Sequence, residues 1–341
     1  MDNHTRIAVD VAKAVFEIVV SQQPGKVHER ARVPRHKFLA FFVQRPAATV
    51  VMEACGSAHH WGRQLQRLGH QVVLLPAHQV RPYVLRNKTD RTDAKGLLEA
   101  FHNDDSHRVP VKSVEQQTLH RLRSAWLAER TAKINTLRGR LRELGFVIPG
   151  GAHHVVPRAW GLIEDADSGL PEVLREPFAE VCRELRTLEE RIKDIEHQLA
   201  ALAEQLPVVE RLRSIPGVGL LTATAVVALT ADIHRFPSGR HFASYLGLTP
   251  RERSSGSKRR LGAISKRGAV YLRMLLIHGA RATLWHAKCL KEPDRLRARA
   301  LRLERSIGHN KAAVALANKL ARIIWAVWKY DRRVESAAQA A

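Results

Sequence analysis

Arg6-Ile7-Ala8-Val9-Asp10-Val11 is an apolar run with one carboxylate near its end, and Val15-Phe16-Glu17-Ile18-Val19-Val20 follows three residues later. Both read as strands. Pro24-Gly25 marks a turn beyond them, and Lys26 to Val33 reads as a third strand. Thr49-Val50-Val51-Met52-Glu53 is a further β-branched run, ending in a second carboxylate just before Cys55-Gly56. A helix is expected from Ala58 to Leu68, ended by Gly69, and Gln71 to Leu75 reads as a buried strand stopped by Pro76. Three early strands followed by strand–helix alternation specify a mixed α/β sheet over residues 1–110.

Outward from that sheet the character changes. Glu115 to Leu144 is rich in Leu, Arg, Ala and Glu, holds no Pro, and is broken by Pro149-Gly150-Gly151. A loop-like segment is expected from there to Pro171. Leu174, Phe178, Val181, Leu185, Leu188, Ile192, Ile195, Leu199, Leu202 and Leu206 then recur in alternating steps of four and three, with charged residues between them. That heptad seam predicts a coiled-coil arm within residues 111–206, with Glu115–Leu144 as a candidate antiparallel partner; one helix of an ordinary bundle is the other reading. Residues 207–341 read as helical and basic.

The chain has 341 residues, enough for two or three domains, and its 45% hydrophobic content makes it globular. Its 56 Lys and Arg against 33 Asp and Glu leave +23, and residues 207–341 alone hold 26 against 8, or +18 of that total. Charge so concentrated points to a polyanionic partner, nucleic acid before an anionic membrane. Cys55, Cys182 and Cys289 are the 3 cysteines and form no C-x-x-C pair, which excludes a disulfide framework and a cysteine zinc site and suits a reducing cytoplasm. No apolar run reaches the roughly 20 residues a bilayer requires, and Asp2, His4 and Asp10 interrupt any signal peptide.

Four acids of the first region stand out. Asp10 and Glu53 lie at strand ends, and Asp90 and Asp93 share one face of a helix opened by Lys88-Thr89-Asp90-Arg91-Thr92-Asp93. Acids converging from strand ends and a helix start would repel one another unless a hard cation such as Mg²⁺ lay between them. Two such ions about 4 Å apart can hold both oxygens of a phosphodiester exchange. Helix capping accounts for Asp90 equally well. The pairs His59-His60 and His153-His154 point to different faces and make poor metal sites.

With these residues placed, Ile7-Ala8-Val9-Asp10-Val11-Ala12-Lys13, Met52-Glu53-Ala54-Cys55-Gly56 and Lys88-Thr89-Asp90-Arg91-Thr92-Asp93-Ala94 together resemble the DEDD signature of insertion-sequence 110-type transposases. Ile215-Pro216-Gly217-Val218-Gly219, Tyr245-Leu246-Gly247-Leu248-Thr249-Pro250, Ser254-Ser255-Gly256, Ile264-Ser265-Lys266-Arg267-Gly268 and Tyr271-Leu272-Arg273 continue the resemblance in the family's order. The compact C-terminal block is most similar to the 1111 subgroup. Ala8 stands where the family more often has Gly. The resemblance implies an RNase H-like, RuvC-like N-terminal domain with Asp10, Glu53, Asp90 and Asp93 as Mg²⁺ ligands. It implies a coiled-coil insertion and a helical transposase domain whose nucleophile is Ser255, with Ser254 as the near alternative. It also implies DNA recombination guided by a structured RNA encoded by the element, homodimers that assemble into homotetramers, and a place at the bacterial nucleoid in the cytoplasm.

The C-terminal residues also have a chemistry of their own. Ile215–Gly219 looks like a helix–hairpin–helix turn, whose backbone N–H groups suit a phosphate; a plain interhelical turn is the other reading. Arg251, Arg253, Lys258, Arg259, Arg260, Lys266, Arg267 and Arg273 are candidate phosphate contacts around a Ser/Gly loop. By residue type alone that loop is a phosphate-binding loop, and catalysis by serine enters only with the resemblance. Trp285, Trp325, Trp328 and Tyr330 are candidates to stack on bases, with a core role the competing reading for Trp325 and Trp328, which fall at helical spacing beside Ile323, Ile324 and Val327. Two rival readings stand beside the transposase: a junction-resolvase-like nuclease in which the acids direct water, and a nucleic-acid-binding protein without catalysis.

Overall fold

The computed structural model describes residues 5–23, 26–84, 90–103, 108–109, 111 and 115–333. The Pro24-Gly25 turn and the Asp90 side chain lie outside the described residues. Two compact units form, one from Met1–Val114 with Thr230–Asp232, the other from Glu115–Leu229 with Ile233–Ala341.

In the first unit β1 (Arg6–Val11), β2 (Val15–Ser21) and β3 (Glu29–Pro34) make an antiparallel meander. Strands β4 (Thr49–Glu53) and β5 (Gln71–Leu75) add to β1 in parallel, giving the order β3-β2-β1-β4-β5. Alternation divides each strand between two cores. Ile7, Val9, Phe16, Ile18, Val50 and Met52 pack under α1 (Phe38–Val43) and α2 (Ala58–Arg67), where Phe38 meets Phe16 and Trp61 edge-on at 4.6 and 5.0 Å. Ala8, Val19, Val51, Val73 and Leu75 face the other way, onto α3 (Ala77–Val80) and α4 (Asp90–His102). Helix α2 stops because Gly69 takes φ 86°, which lets Gly69 N–H donate to Gln66 O and His70 N–H to Leu65 O.

The second unit opens with α5 (Glu115–Glu143), α6 (Val155–Glu164) and α7 (Glu172–Glu204). Helices α5 and α7 run antiparallel: Arg123 pairs with Glu196 at 2.7 Å, Arg130 with Glu189 at 2.7 Å and Lys133 with Glu184 at 2.6 Å, one helix ascending as the other descends. Phe178, Leu185, Leu188, Ile192, Ile195 and Leu199 are buried along α7. The segment expected as a loop after Gly151 instead holds α6. Val155 and Ala159, one turn apart, are buried with Leu137, Leu141 and Phe178, and Pro157 falls in the first turn, where its missing N–H breaks no helical bond. Arg175 braces the end of α6 by donating to Ile163 O at 2.6 Å and Asp165 O at 2.9 Å.

Next come α8 (Pro207–Arg213), α9 (Leu220–Thr230), α10 (Gly239–Tyr245), α11 (Val270–Cys289), α12 (Arg295–Ile307) and α13 (His309–Lys329) around one apolar core. Trp325 belongs to it, its indole N–H donating to Phe236 O at 3.0 Å. The Ile215–Gly219 joint is a turn closed by Val218 N–H on Ile215 O, with Gly217 at φ 84°. A Cβ at Gly217 would strike Thr283 and the Gly279 carbonyl, so this joint is seated directly on α11. Helices alone are expected here, yet β6 (Pro250–Glu252) and β7 (Leu261–Ile264) form an antiparallel ribbon. Its strands are three and four residues long and almost wholly exposed, so no buried period announces them.

Candidate active site

The last recorded pair between β1 and β4 is Val9 opposite Met52, and one step further along both strands stand Asp10 and Glu53. Neighbouring strands lie about 4.8 Å apart, so the two carboxylate-bearing residues stand side by side. Each is two residues beyond a side chain buried on the α4 face, Ala8 and Val51 respectively, and therefore takes that face. On the other flank of Asp10, Glu17 of β2 is its cross-strand partner. Glu17 is missed by the sequence reading, although its place in the β2 alternation is the signal; it is held by Arg32 at 3.2 Å.

Helix α4 brings a third candidate acid to the same end. Arg6, at the start of β1, contacts His102 Nδ1 at 3.3 Å and stacks over Phe101 at 5.6 Å, which fixes the end of α4 at the beginning of β1. The helix therefore runs antiparallel to the strand. Asp93 precedes His102 by about 13.5 Å of helix, and Asp10 follows Arg6 by about 13 Å of strand. The lengths match, so the first turn of α4 lies over Asp10. Asp93 shares a stripe with Leu97 and Ala100, both buried on the sheet, and its Oδ1 is itself buried. Asp90 opens the same helix one turn earlier. Among the described residues no three His, Cys, Asp or Glu are drawn tightly enough together to hold a metal ion. The fold thus gathers Asp10, Glu53 and Asp93 to one end of one face without closing them into a ligand cage.

In the second unit, the candidate serines sit on the β6–β7 ribbon. Arg253 N–H donates to Arg260 O, and Ser255 and Lys258 exchange backbone bonds at 3.2 and 3.3 Å, so Gly256-Ser257 is a two-residue turn. Gly256 takes φ 57°, the conformation its first position demands. The two serines differ. Ser254 Oγ donates to Glu252 Oε1 at 2.7 Å and accepts from Arg260 N–H at 3.2 Å, bracing the strands. That hydroxyl, with Arg259 beside it, holds the Glu252 carboxyl below its ordinary pKa. Ser255 is exposed at the edge of the turn, and among the described residues its hydroxyl has no hydrogen-bond partner.

The ribbon is anchored at its base. A Cβ at Gly247 would overlap the Arg267 carbonyl, and one at Gly268 would overlap the Tyr245 carbonyl; both glycines take positive φ. Arg273 clamps this crossing, donating to Leu246 O and Arg267 O at 2.9 Å each. This corrects its expected role: Arg273 is buried and occupied, not an exposed phosphate contact. Arg251, Arg253, Lys258, Arg259, Arg260, Lys266 and Arg267 are all exposed. Arg251, Arg253, Arg260 and Lys266 line an open groove along the ribbon, beside Gly262 and Ala263, whose small side chains leave it room.

Residues 7–146 match the model of the DEDD transposases of the IS110 type, and residues 209–294 match the model described as "Transposase IS116/IS110/IS902 family". Along nearly its full length the chain is 42% identical over 334 residues to a "Probable family 20 transposase" of Pseudomonas aeruginosa, covering 95% of this chain and 97% of that one. This chain belongs to the IS110 family of transposases. Its relatives include the "Transposase for insertion sequence element IS1111A" of Coxiella burnetii, 41% identical over 94% of this chain and 88% of the other. The "Transposase for insertion sequence element IS1328" of Yersinia enterocolitica is 34% identical over 96% and 97%. As an IS110-family transposase it is an enzyme of DNA recombination. The first matched stretch carries the sheet, α4 and α5; the second carries the ribbon and ends just before α12. No described helix is long and apolar enough to cross a membrane.

Proposed function

We propose that this transposase exchanges DNA strands through a phosphoserine intermediate. In this reading Asp10, Glu53, Asp90 and Asp93 hold Mg²⁺ in an RNase H-like domain, and Ser255 is the nucleophile. The observation that carries the proposal is the placement of Asp10 beside Glu53 at the strand ends, under the first turn of α4 that bears Asp93. Their donor set is all carboxylate oxygen, which fits a hard divalent cation. When bound, Mg²⁺ neutralises phosphate oxygens and eases loss of a proton from an attacking hydroxyl.

The chain's own residues supply the rest. The ribbon cations offset charge on the phosphate as Ser255 Oγ approaches. A bond forms from Oγ to phosphorus while the bond to the departing strand oxygen breaks. The serine proton passes to solvent, and the departing oxygen takes one up as a free hydroxyl end. A hydroxyl of another strand then displaces Ser255 by the reverse exchange. Each step makes one phosphate ester for each one broken, so no nucleotide cofactor is consumed. Ser254, engaged with Glu252 and Arg260, shapes the loop.

The α5–α7 pair is read as a coiled-coil arm that joins chains into dimers and tetramers, in which acids and serine act on one phosphodiester. Guidance by an element-encoded structured RNA belongs to the same proposal, supported by family membership and by the net charge of +23.

The test is to trap cleaved donor DNA on the protein under denaturing conditions. The adduct is expected in wild type and in Ser254→Ala, and is expected to vanish in Ser255→Ala and Asp10→Ala. Adduct retained in Ser255→Ala would move the nucleophile elsewhere, and free 5′-phosphate ends without any adduct would identify a water-using nuclease.

A further inference from the structure

Helix α12 carries an arginine ridge that the serine chemistry does not use. Leu296, Ala300 and Leu303 pack it onto the core of the second unit. On the solvent side of the helix, Arg295, Arg299, Arg302 and Arg305 stand exposed at steps of four, three and three. Such spacing puts the four guanidinium groups along one side of the helix, over about 15 Å. Of the nearby acids, Glu292 precedes the helix, and the two at its ends are already engaged. Asp294 caps the helix and pairs with Arg297, and Glu304 is held by Lys288 at 2.8 Å and by His309 at 2.7 Å. Among the described residues the four ridge arginines have no ion pair.

Like charges at these spacings destabilise a helix. Three such pairs follow one another here, and their repulsion is relieved when a polyanion lies along the ridge. The family-model match ends at residue 294, so the ridge lies outside the residues that model covers.

We propose that the α12 ridge binds the phosphate backbone of duplex DNA, as a positioning surface separate from the reacting serine; this rests on the chain's reading as a DNA transposase. Several features favour a duplex. The ridge is a straight, convex row of cations. The other residues on its side are Ala298, Leu301 and Ser306, so it offers no aromatic ring on which an unpaired base could stack. Guanidinium forks suit phosphate oxygens, and contacts to phosphate alone set position without reading sequence.

The test uses the full chain in EDTA, with a labelled 30-base-pair DNA of arbitrary sequence and binding followed by anisotropy across salt concentrations. EDTA removes the chemistry, so a failure of the phosphoserine reading leaves this measurement intact. Each phosphate contact contributes about 0.9 to the slope of log K against log salt. Replacing all four arginines by Gln is expected to reduce that slope by about 3.6, and each single Arg→Gln change by about 0.9. The fourfold Arg→Lys variant, which keeps the charge, is expected to keep the slope. The single variants carry the test should the fourfold Gln variant fail to fold. A folded fourfold Gln variant with the wild-type slope would overturn the proposal. So would a loss confined to duplex RNA of the same length, which would make the ridge an RNA surface.

Discussion

The two candidate halves of the chemistry are carried by opposite kinds of scaffold. Asp10 and Glu53 end adjacent strands of a sheet buried on both faces, and Asp93 sits on a helix packed over it. Ser255 stands on a short exposed ribbon whose rigidity comes from one crossing of two glycines and a buried arginine. A sheet distributes positional control over many apolar contacts, whereas a ribbon concentrates it in a few close ones. The acid end should therefore tolerate single changes in its support, and the serine end should not.

Gly268→Ala tests that contrast most severely. A Cβ there meets the Tyr245 carbonyl at φ 74°, so the base of the ribbon must open. A loss of about 3–5 kcal/mol is expected by thermal unfolding, with adduct formation falling in the folded fraction. Gly256→Ala at the tip, with nothing within 4 Å of the added Cβ, should cost about 1 kcal/mol. Equal costs at the two positions would mean that the ribbon is not anchored where its backbones cross.

A second difference is in how each half responds to pH. His120 of α5 is buried between Tyr271 OH at 3.1 Å and Thr224 Oγ1 at 3.1 Å. Burial, assisted by the charge of Arg123, lowers its pKa from 6.5 to about 4. Between these values the unfolded chain binds the proton and the folded chain does not. Stability from the neutral ring is complete above pH 6.5 and is lost as pH falls toward 4, by at most about 3 kcal/mol. Hydrogen exchange should show the second unit loosening over that window ahead of the first, and His120→Gln should flatten the effect. Simultaneous loosening of both units in wild type and variant would assign the acid response elsewhere.

The smallest expected effect lies on the surface of the helix pair. Arg130→Ala removes the 2.7 Å pair with Glu189, which is partly exposed, and should cost less than about 1 kcal/mol in chemical denaturation. Leu188→Ala, taken from the buried seam, should cost about 2–5 kcal/mol. If the two costs were equal, charge rather than apolar packing would be holding the arm.

The same contrast governs what could be read from the residues alone. Strands β1 and β4 announce themselves because their buried positions are Ile, Val, Ala and Met, and the acids interrupt that pattern where the strands end. The α7 seam is visible for a similar reason, since burial imposes a period. Helix α6 is obscured by Pro157 and the Gly-rich entry before it, which read as loop although the proline sits where a helix accepts it. The ribbon leaves no period because neither of its faces is buried. Arg273 looks like its basic neighbours in sequence, and only the folding of Leu246 and Arg267 around it turns a cation into an internal clamp. Glu17 gains meaning only when strand register sets it beside Asp10.

The central claim is that acids from β1, β4 and α4 form one cation site. Mn²⁺ binding to the full chain, followed by electron paramagnetic resonance, tests it without requiring DNA or turnover. Asp10→Asn, Glu53→Gln and Asp93→Asn are each expected to weaken binding by tenfold or more while leaving the thermal transition in place. Binding unchanged in all three variants would contradict the account, because the strand ends and the first turn of α4 would then be holding no common ion.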